Sequence, residues 1–231
     1  MKISRNKIEL FLNCEKCFFL DVIHNIKRPP AFPYLLNSAV DKLLKNEFDY
    51  YRKNNLAHPY FVKNNLNLSL YENTKMEDWR KFNIGISHIH KKTGFLLRGS
   101  IDDIWVDNEK NELIIVEYKS TSKSSQINLN SDWQNSYKRQ IEFYQYLFHK
   151  NNYKVSKKAF FVYCNGLNNE KKFNEKLKFD VKLLDYEGSF DWIEKTIDKI
   201  YKVLEKRILP NSSSNCNYCK YFEKIKYIDG S

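Results

Sequence analysis

Between Gly99 and Lys119 the chain reads GSIDDIWVDNEKNELIIVEYK, and no other stretch narrows the range of folds as far. Ser100 to Val106 is rich in β-branched and aromatic residues, Asp107 to Asn111 is a polar turn, and Glu112 to Lys119 is a second strand sequence, so the stretch is a β-hairpin. In the second strand Leu113, Ile115, Glu117 and Lys119 share one face, while Ile114, Val116 and Tyr118 share the other. Both faces are therefore apolar along most of the strand, the pattern of a strand covered on both sides. An acid and a lysine in such a strand need a reason. A buried carboxylate is costly unless a cation compensates it, and a divalent metal shared with Asp102 of the neighbouring strand would supply that cation.

Three pieces follow one another along the chain: Gly99-x-x-Asp102, then Glu117-Tyr118-Lys119 after the hairpin turn, then Gln140-x-x-x-Tyr144 on a predicted helix. In that order and on those elements the sequence resembles the PD-(D/E)XK nuclease superfamily, in its RecB-like, CRISPR-associated exonuclease-like branch. E-x-K alone occurs by chance in any lysine-rich chain; the succession carries the likeness, which covers most of the sequence. The resemblance implies an α/β fold with a restriction-endonuclease-like core, in which a mixed central β-sheet is flanked by helices and preceded by an N-terminal helical segment. It implies a single nuclease-like domain over residues 1–231, mainly helical to residue 83, with the sheet core over 84–186 and a C-terminal helix and cysteine-containing tail over 187–231.

The resemblance further implies hydrolysis of DNA phosphodiester bonds with Mg²⁺ or Mn²⁺, in repair, recombination or defence. Asp102, Glu117 and the Tyr118 backbone carbonyl would offer hard oxygen ligands, and Lys119, on the same face as Glu117, would position or activate the attacking water. Gln140 and Tyr144, one helical turn apart, would orient Lys119 or the strand being cut. Asp103 is the poorer candidate because it points away from Asp102. RecB-like nucleases commonly carry a histidine on an early helix close to the metal; the matching helix here offers Asp41 instead. An aspartate also suits a hard cation, and it equally suits the first turn of a helix, where the dipole favours it. The rival readings are a non-catalytic nucleic-acid-binding module on a nuclease fold, and a cysteine-metal interaction protein. A plain surface hairpin beside an amphipathic helix is the least specific alternative.

With 231 residues, 42% of them hydrophobic and 16% aromatic, the chain has the means to bury a sizeable core. Its 39 basic against 28 acidic residues give a net charge of +11, which favours a polyanionic partner, here nucleic acid and in the first place DNA. Lys, Asn, Ile, Phe and Tyr are abundant together, as in proteins of AT-rich genomes, so part of that excess is compositional. No apolar run has the length of a signal peptide core or a membrane span, which leads to the expectation of a cytoplasmic protein. No helicase motif is present, so a motor would be a separate chain.

Elsewhere, Ser4 is an N-cap for a helix carrying Ile8, Phe11, Leu12, Phe18 and Phe19. Pro29, Pro30 and Pro33 make Lys27 to Tyr34 a linker. A second helix from Leu36 has Val40, Leu43, Leu44, Phe48 and Tyr51 as its inward stripe, and Trp79 and Phe82 anchor the polar stretch 53–82. Residues 84–97 form a hairpin entering the central one, with His88 and His90 on one face. Ser120 to Ser125 is a hydroxyl-rich loop suited to phosphates. A helix spans about Asp132 to Lys150, strands follow at Lys158 to Cys164 and Lys178 to Tyr186, and the crossover makes Lys119's strand and Ala159's strand parallel. A long helix begins at Gly188-Ser189.

The five cysteines are an odd number in a chain without secretory features, so they are reduced thiols or metal ligands. Cys14-x-x-Cys17 and Cys216-x-x-Cys219 would make a four-thiolate site if the fold joins them. Some RecB-like nucleases hold an iron-sulfur cluster with one N-terminal and three C-terminal cysteines. Here Cys14, Cys216 and Cys219 fit that scheme and Cys17 could complete it. Spacing alone leaves a [4Fe-4S] cluster, Zn²⁺ and packed free thiols all open. Cys164, on a predicted core strand, is structural.

Overall fold

The computed structural model describes residues 1–30 and 32–229. In chain order the elements are β1 (Lys2–Ser4), α1 (Arg5–Asn13), α2 (Glu15–His24), α3 (Leu35–Lys53), α4 (Pro59–Lys63), β2 (Leu68–Leu70), α5 (Met76–Arg80), β3 (Ile86–Ile89) and β4 (Leu96–Gly99). They continue with β5 (Asp103–Asp107), β6 (Glu112–Thr121), α6 (Asn135–Lys150), β7 (Lys158–Gly166), β8 (Phe179–Glu187), α7 (Asp191–Lys206) and α8 (Asn217–Asp229). Two compact units result: Pro33–His88 with Arg98–Phe190, and Met1–Phe32 with Ile89–Leu97 and the chain from Asp191 onward. No helix among the described residues is long and apolar enough to cross a membrane.

The first unit is built on a mixed five-stranded sheet of order β2-β5-β6-β7-β8. β5 and β6 are the expected hairpin, antiparallel from Asp103 opposite Val116 to Asp107 opposite Glu112. Its turn is set by Asp107, whose Oδ1 accepts from the N–H groups of Glu109 and Lys110, and by Asn111 in the left-handed region at φ 51°. β6 and β7 run parallel, as the helical crossover requires, and β8 closes the sheet antiparallel to β7.

Helices cover both faces, which is why β6 is apolar on both. On one face Leu44 and Phe48 of α3 and Phe61 of α4 pack on Trp105, Ile114, Val116, Tyr118, Phe160, Val162 and Cys164. On the other, Ile141 of α6 packs on Ala159, Phe161 and Tyr163. Each such fully buried side chain contributes roughly 1.5–3 kcal/mol. This is the restriction-endonuclease-like core. β3 and β4 stay outside the five-stranded sheet rather than feeding it.

Several local expectations shift. β5 starts at Asp103 and not at Ser100, because Gly99 still belongs to β4 and Ser100 to Asp102 are not strand, with a bend at Asp102. Leu43 is 67% exposed, since the i, i+4 steps of Leu44 and Phe48 define the inward line and Leu43 falls beside it. Phe82 is 75% exposed while Trp79 is buried against Phe148.

In the second unit the N-terminal helix is interrupted at Cys14, whose extended backbone (φ −163°, ψ 111°) ends α1 and caps α2. Ser4 caps α1, accepting from the Lys7 N–H. The tail after Cys216 is helical as α8, an element the sequence had not led us to expect. His90 is held by Thr93 on Nδ1 and Glu194 on Nε2, at 2.9 and 2.8 Å. Both nitrogens are engaged.

Candidate active site

β5 and β6 part company at the point where the charged residues lie. Asp103 is the last residue of β5 to pair with β6, so Glu117, Tyr118 and Lys119 line an edge that no strand covers. Asp102 fills the gap: its Oδ2 accepts the Tyr118 N–H at 2.9 Å, in place of a strand carbonyl. In extended backbone a residue's N–H and C=O face the same edge, so the Tyr118 carbonyl opens toward Asp102 as well.

Strand alternation sends Glu117 and Lys119 to the α6 face. There Lys119 Nζ lies 2.8 Å from Glu117 Oε1 and 3.3 Å from Gln140 Oε1, and 4.4 Å from the Tyr137 ring centre. Gln140 Nε2 donates to Glu117 Oε1 and lies 3.1 Å from the Tyr144 hydroxyl. Gly99 sits against that tyrosine; a Cβ there would come within 2.5 and 2.8 Å of ring carbons of Tyr144. The G-x-x-D glycine is thus a packing requirement of the Q-x-x-x-Y helix.

From the α3 face, Lys45 reaches Asp41 at 2.8 Å and Asp102 Oδ1 at 3.1 Å. Asp41 therefore joins the cluster through Lys45. Burial works against ionisation of Asp102, but Lys45 above all, then Lys119 and the Tyr118 N–H, outweigh it and hold its carboxyl below the ordinary range. Burial, then the charge of Asp102, raises Asp41. Glu117 is buried, and burial followed by the charge of Asp102, with which it is in contact, pushes its carboxyl up to about 8 against the pull of Lys119. Its Oε2 is buried without any hydrogen-bond donor. Two carboxylates in contact, one with an orphaned oxygen, fit a hard divalent cation, which favours such oxygen donors.

Behind the edge, Asp103 faces the other way, as the alternation requires. It pairs with Arg52 and, at 3.2 Å, with Arg80, and accepts from the Tyr118 hydroxyl at 2.8 Å. Arg80 Nε also donates to the Asp102 carbonyl at 2.9 Å. The residues expected from the sequence, Asp41, Asp102, Glu117, Tyr118, Lys119, Gln140 and Tyr144, thus lie together, and Lys45, Arg52 and Arg80 join them without having been expected. Only the Asp41-x-x-x-Lys45 spacing hinted at any of these.

A cleft of about 410 Å³ opens beside the cluster, lined by residues including Tyr34, Asn37, Asp41, Lys119, Ser120 and Tyr137. The loop after it is less free than its composition implied: Ser122 Oγ donates to the Gly166 carbonyl at 2.9 Å, and the Lys123 N–H to Asn165 Oδ1 at 2.8 Å. The predicted cysteine set also assembles, in the second unit, where Cys14, Cys17, Cys216 and Cys219 bring their sulfurs within 4.8 Å of one another.

The family model of the PD-(D/E)XK nuclease superfamily matches residues 27–223. The chain belongs to this superfamily. The match spans the whole bend, hairpin and α6 assembly that carries the acidic cluster. Among solved structures, the crystal structure of SSO0001 is similar at 16% identity, covering 95% of this chain and 82% of that one, with a TM-score of 0.38. No curated protein matches. Membership in a superfamily of nucleases makes phosphodiester hydrolysis the activity class to which this PD-(D/E)XK chain is referred.

Proposed function

We propose that this protein is a RecB-like deoxyribonuclease, hydrolysing DNA phosphodiester bonds with Mg²⁺ or Mn²⁺ at the edge of β6. The observation that carries the reading is the buried Glu117 carboxyl, whose Oε2 has no hydrogen-bond donor and whose side chain meets Asp102. A protein that kept this fold only for shape would gain by replacing a carboxyl so placed. Asp102, Glu117 and the Tyr118 carbonyl would hold the cation, with Asp41 as a further oxygen donor. A bound divalent ion would offset negative charge on the phosphoryl oxygens and lower the pKa of water.

The remaining work falls to the chain's own groups. Lys119, between Glu117 and Gln140, would orient the attacking water and offset the charge that develops on the phosphoryl oxygens. Gln140 and Tyr144 are positioning residues: their mutual bond fixes the amide that holds Glu117 and Lys119 in register. The cleft between Asn37 and Ser120 would receive the backbone of the strand to be cut, and the +11 net charge favours its approach.

The test is incubation with labelled linear and circular DNA, single- and double-stranded, and with RNA, each with and without Mn²⁺. Asp102→Asn and Lys119→Met are run alongside, with circular dichroism to verify folding. Mn²⁺-dependent DNA cleavage that falls at least ~100-fold in both folded variants is expected. Cleavage that survives either substitution refutes the assignment. DNA held intact with or without metal would instead mark a non-catalytic binding module.

A further inference from the structure

The two C-x-x-C pairs are built alike. Cys14 caps α2, and its carbonyl accepts the Phe18 N–H at 3.0 Å; Cys216 stands immediately before α8, and its carbonyl accepts the Lys220 N–H at 3.0 Å. Cys17 and Cys219 then lie in the first turns of their helices. Each pair is thus presented by a helix N-terminus, where backbone N–H groups and the helix dipole favour thiolate. Arg28 adds a donor, with Nη2 3.2 Å from Cys216 Sγ. All of these sulfurs are buried and none is in a disulfide.

Sulfur separations decide what such a set can hold. A single ion with metal–sulfur bonds of about 2.3 Å in tetrahedral geometry sets its ligand sulfurs ~3.8 Å apart. Cys14 and Cys219 stand at 3.8 Å, Cys17 and Cys216 at 3.6 Å, and Cys17 and Cys219 at 3.6 Å, with every pair inside 4.8 Å. A cubane cluster places each thiolate on a different iron, radiating outward from a core of irons and inorganic sulfides. Sulfurs already in mutual van der Waals contact enclose no room for that core. The iron-sulfur cluster implied by the resemblance to RecB-like nucleases therefore does not fit these residues as arranged.

We infer that Cys14, Cys17, Cys216 and Cys219 form a closed, mononuclear tetrathiolate site for Zn²⁺, stapling the N-terminal helices to α8 within the second unit. Zinc is the ion because a soft thiolate set of this geometry selects it, and it outcompetes ferrous iron at equal ligands. With every position of the tetrahedron filled by protein, the site is structural and has no opening for substrate.

The test purifies the full chain without oxygen, from cells supplied with both iron and zinc, and measures metals and acid-labile sulfide. About one zinc per chain, no labile sulfide and no visible colour are expected. Exchange with Co²⁺ should give the visible bands of a tetrahedral cobalt thiolate, and a mercurial thiol reagent should release the zinc to a chromogenic chelator in proportion to the thiols it blocks. Cys17→Ser should shift the cobalt bands; if that variant fails to fold, the wild-type cobalt spectrum and the zinc release decide alone. A brown protein with several irons and matching sulfide, or a chain that takes up neither zinc nor cobalt, overturns the inference. None of these readouts involves DNA cleavage, so they stand apart from the nuclease reading.

Discussion

Raising the pH from about 6 to about 8 should tighten Mn²⁺ binding by ~50-fold, because the cation must take the place of the proton on Glu117. Burial and the neighbouring Asp102 charge put that carboxyl near 8. It is then about half ionised at pH 8 and only ~1% ionised at pH 6, and affinity follows the ionised fraction before levelling off above ~9. The metal-free protein should respond in the opposite sense. Its unfolded chain loses the Glu117 proton near the ordinary value of 4.5 while the folded chain keeps it to about 8. The folded state then binds more protons across that window, and stability falls as pH rises through it. Added Mn²⁺ should remove the loss. Free Mn²⁺ counted by electron paramagnetic resonance gives the affinities, and thermal melts with and without metal give the stabilities. Glu117→Gln should bind more weakly with the pH slope gone. A wild-type affinity constant within ~2-fold over that range, or an unchanged slope in Glu117→Gln, would refute the reasoning.

Lys45→Met removes an ammonium that touches both Asp41 and Asp102, so Mn²⁺ should bind about tenfold more tightly, ~1.4 kcal/mol, by isothermal titration; equal or weaker binding counts against a cation competing for the site. Asp103→Ala leaves Asp49 as the carboxylate that Arg52 and Arg80 share and takes the acceptor from the buried Tyr118 hydroxyl, so it should cost ~1–3 kcal/mol in denaturant unfolding, an unchanged midpoint being incompatible with a structural role. Gly99→Ala drives a Cβ into the Tyr144 ring and should cost ~1–3 kcal/mol while also lowering DNA cleavage, two effects that must appear together. Stripping metal from the four-cysteine site with a strong chelator should lower the melting temperature by at least ~5 °C, and zinc should restore it; an unshifted melt contradicts a structural metal.

The sheet core was legible because its signals are local and strong. The β6 aliphatic run, the Asp107 turn and the α6 stripe each specify an element by period and turn chemistry alone. The site was legible in part for the same reason: Glu117 and Lys119 are two apart on a strand, Gln140 and Tyr144 four apart on a helix. The parts that escaped depend on contacts between distant segments. Lys45 reaches Asp102 across 57 positions, and Arg80 reaches Asp103 across 23, with nothing in either neighbourhood to announce it. β2, only Leu68–Leu70, pairs with β5 but is too short to show alternation. α8 escaped because its aromatic residues are exposed, so it lacks the buried stripe that a periodicity argument needs.

Adjacent aspartates receive opposite tasks here, and the bend just before β5 assigns them. Asp103, on the α3 side, is consumed by Arg52, Arg80 and the Tyr118 hydroxyl, which leaves it no capacity for a ligand and fixes where β5 begins. Asp102, one residue earlier, has its carbonyl pinned by Arg80 and its carboxylate set at the uncovered edge of β6. The cationic network therefore does more than neutralise a buried charge. By anchoring both the carbonyl of Asp102 and the side chain of Asp103, it sets the bend that brings the Asp102 carboxylate against Glu117. Removing Arg80 should consequently disturb metal affinity without Arg80 touching the metal. Restoring a cation with Arg80→Lys should recover stability better than affinity, because lysine cannot bond the Asp102 carbonyl and the Asp103 carboxylate in the same fork.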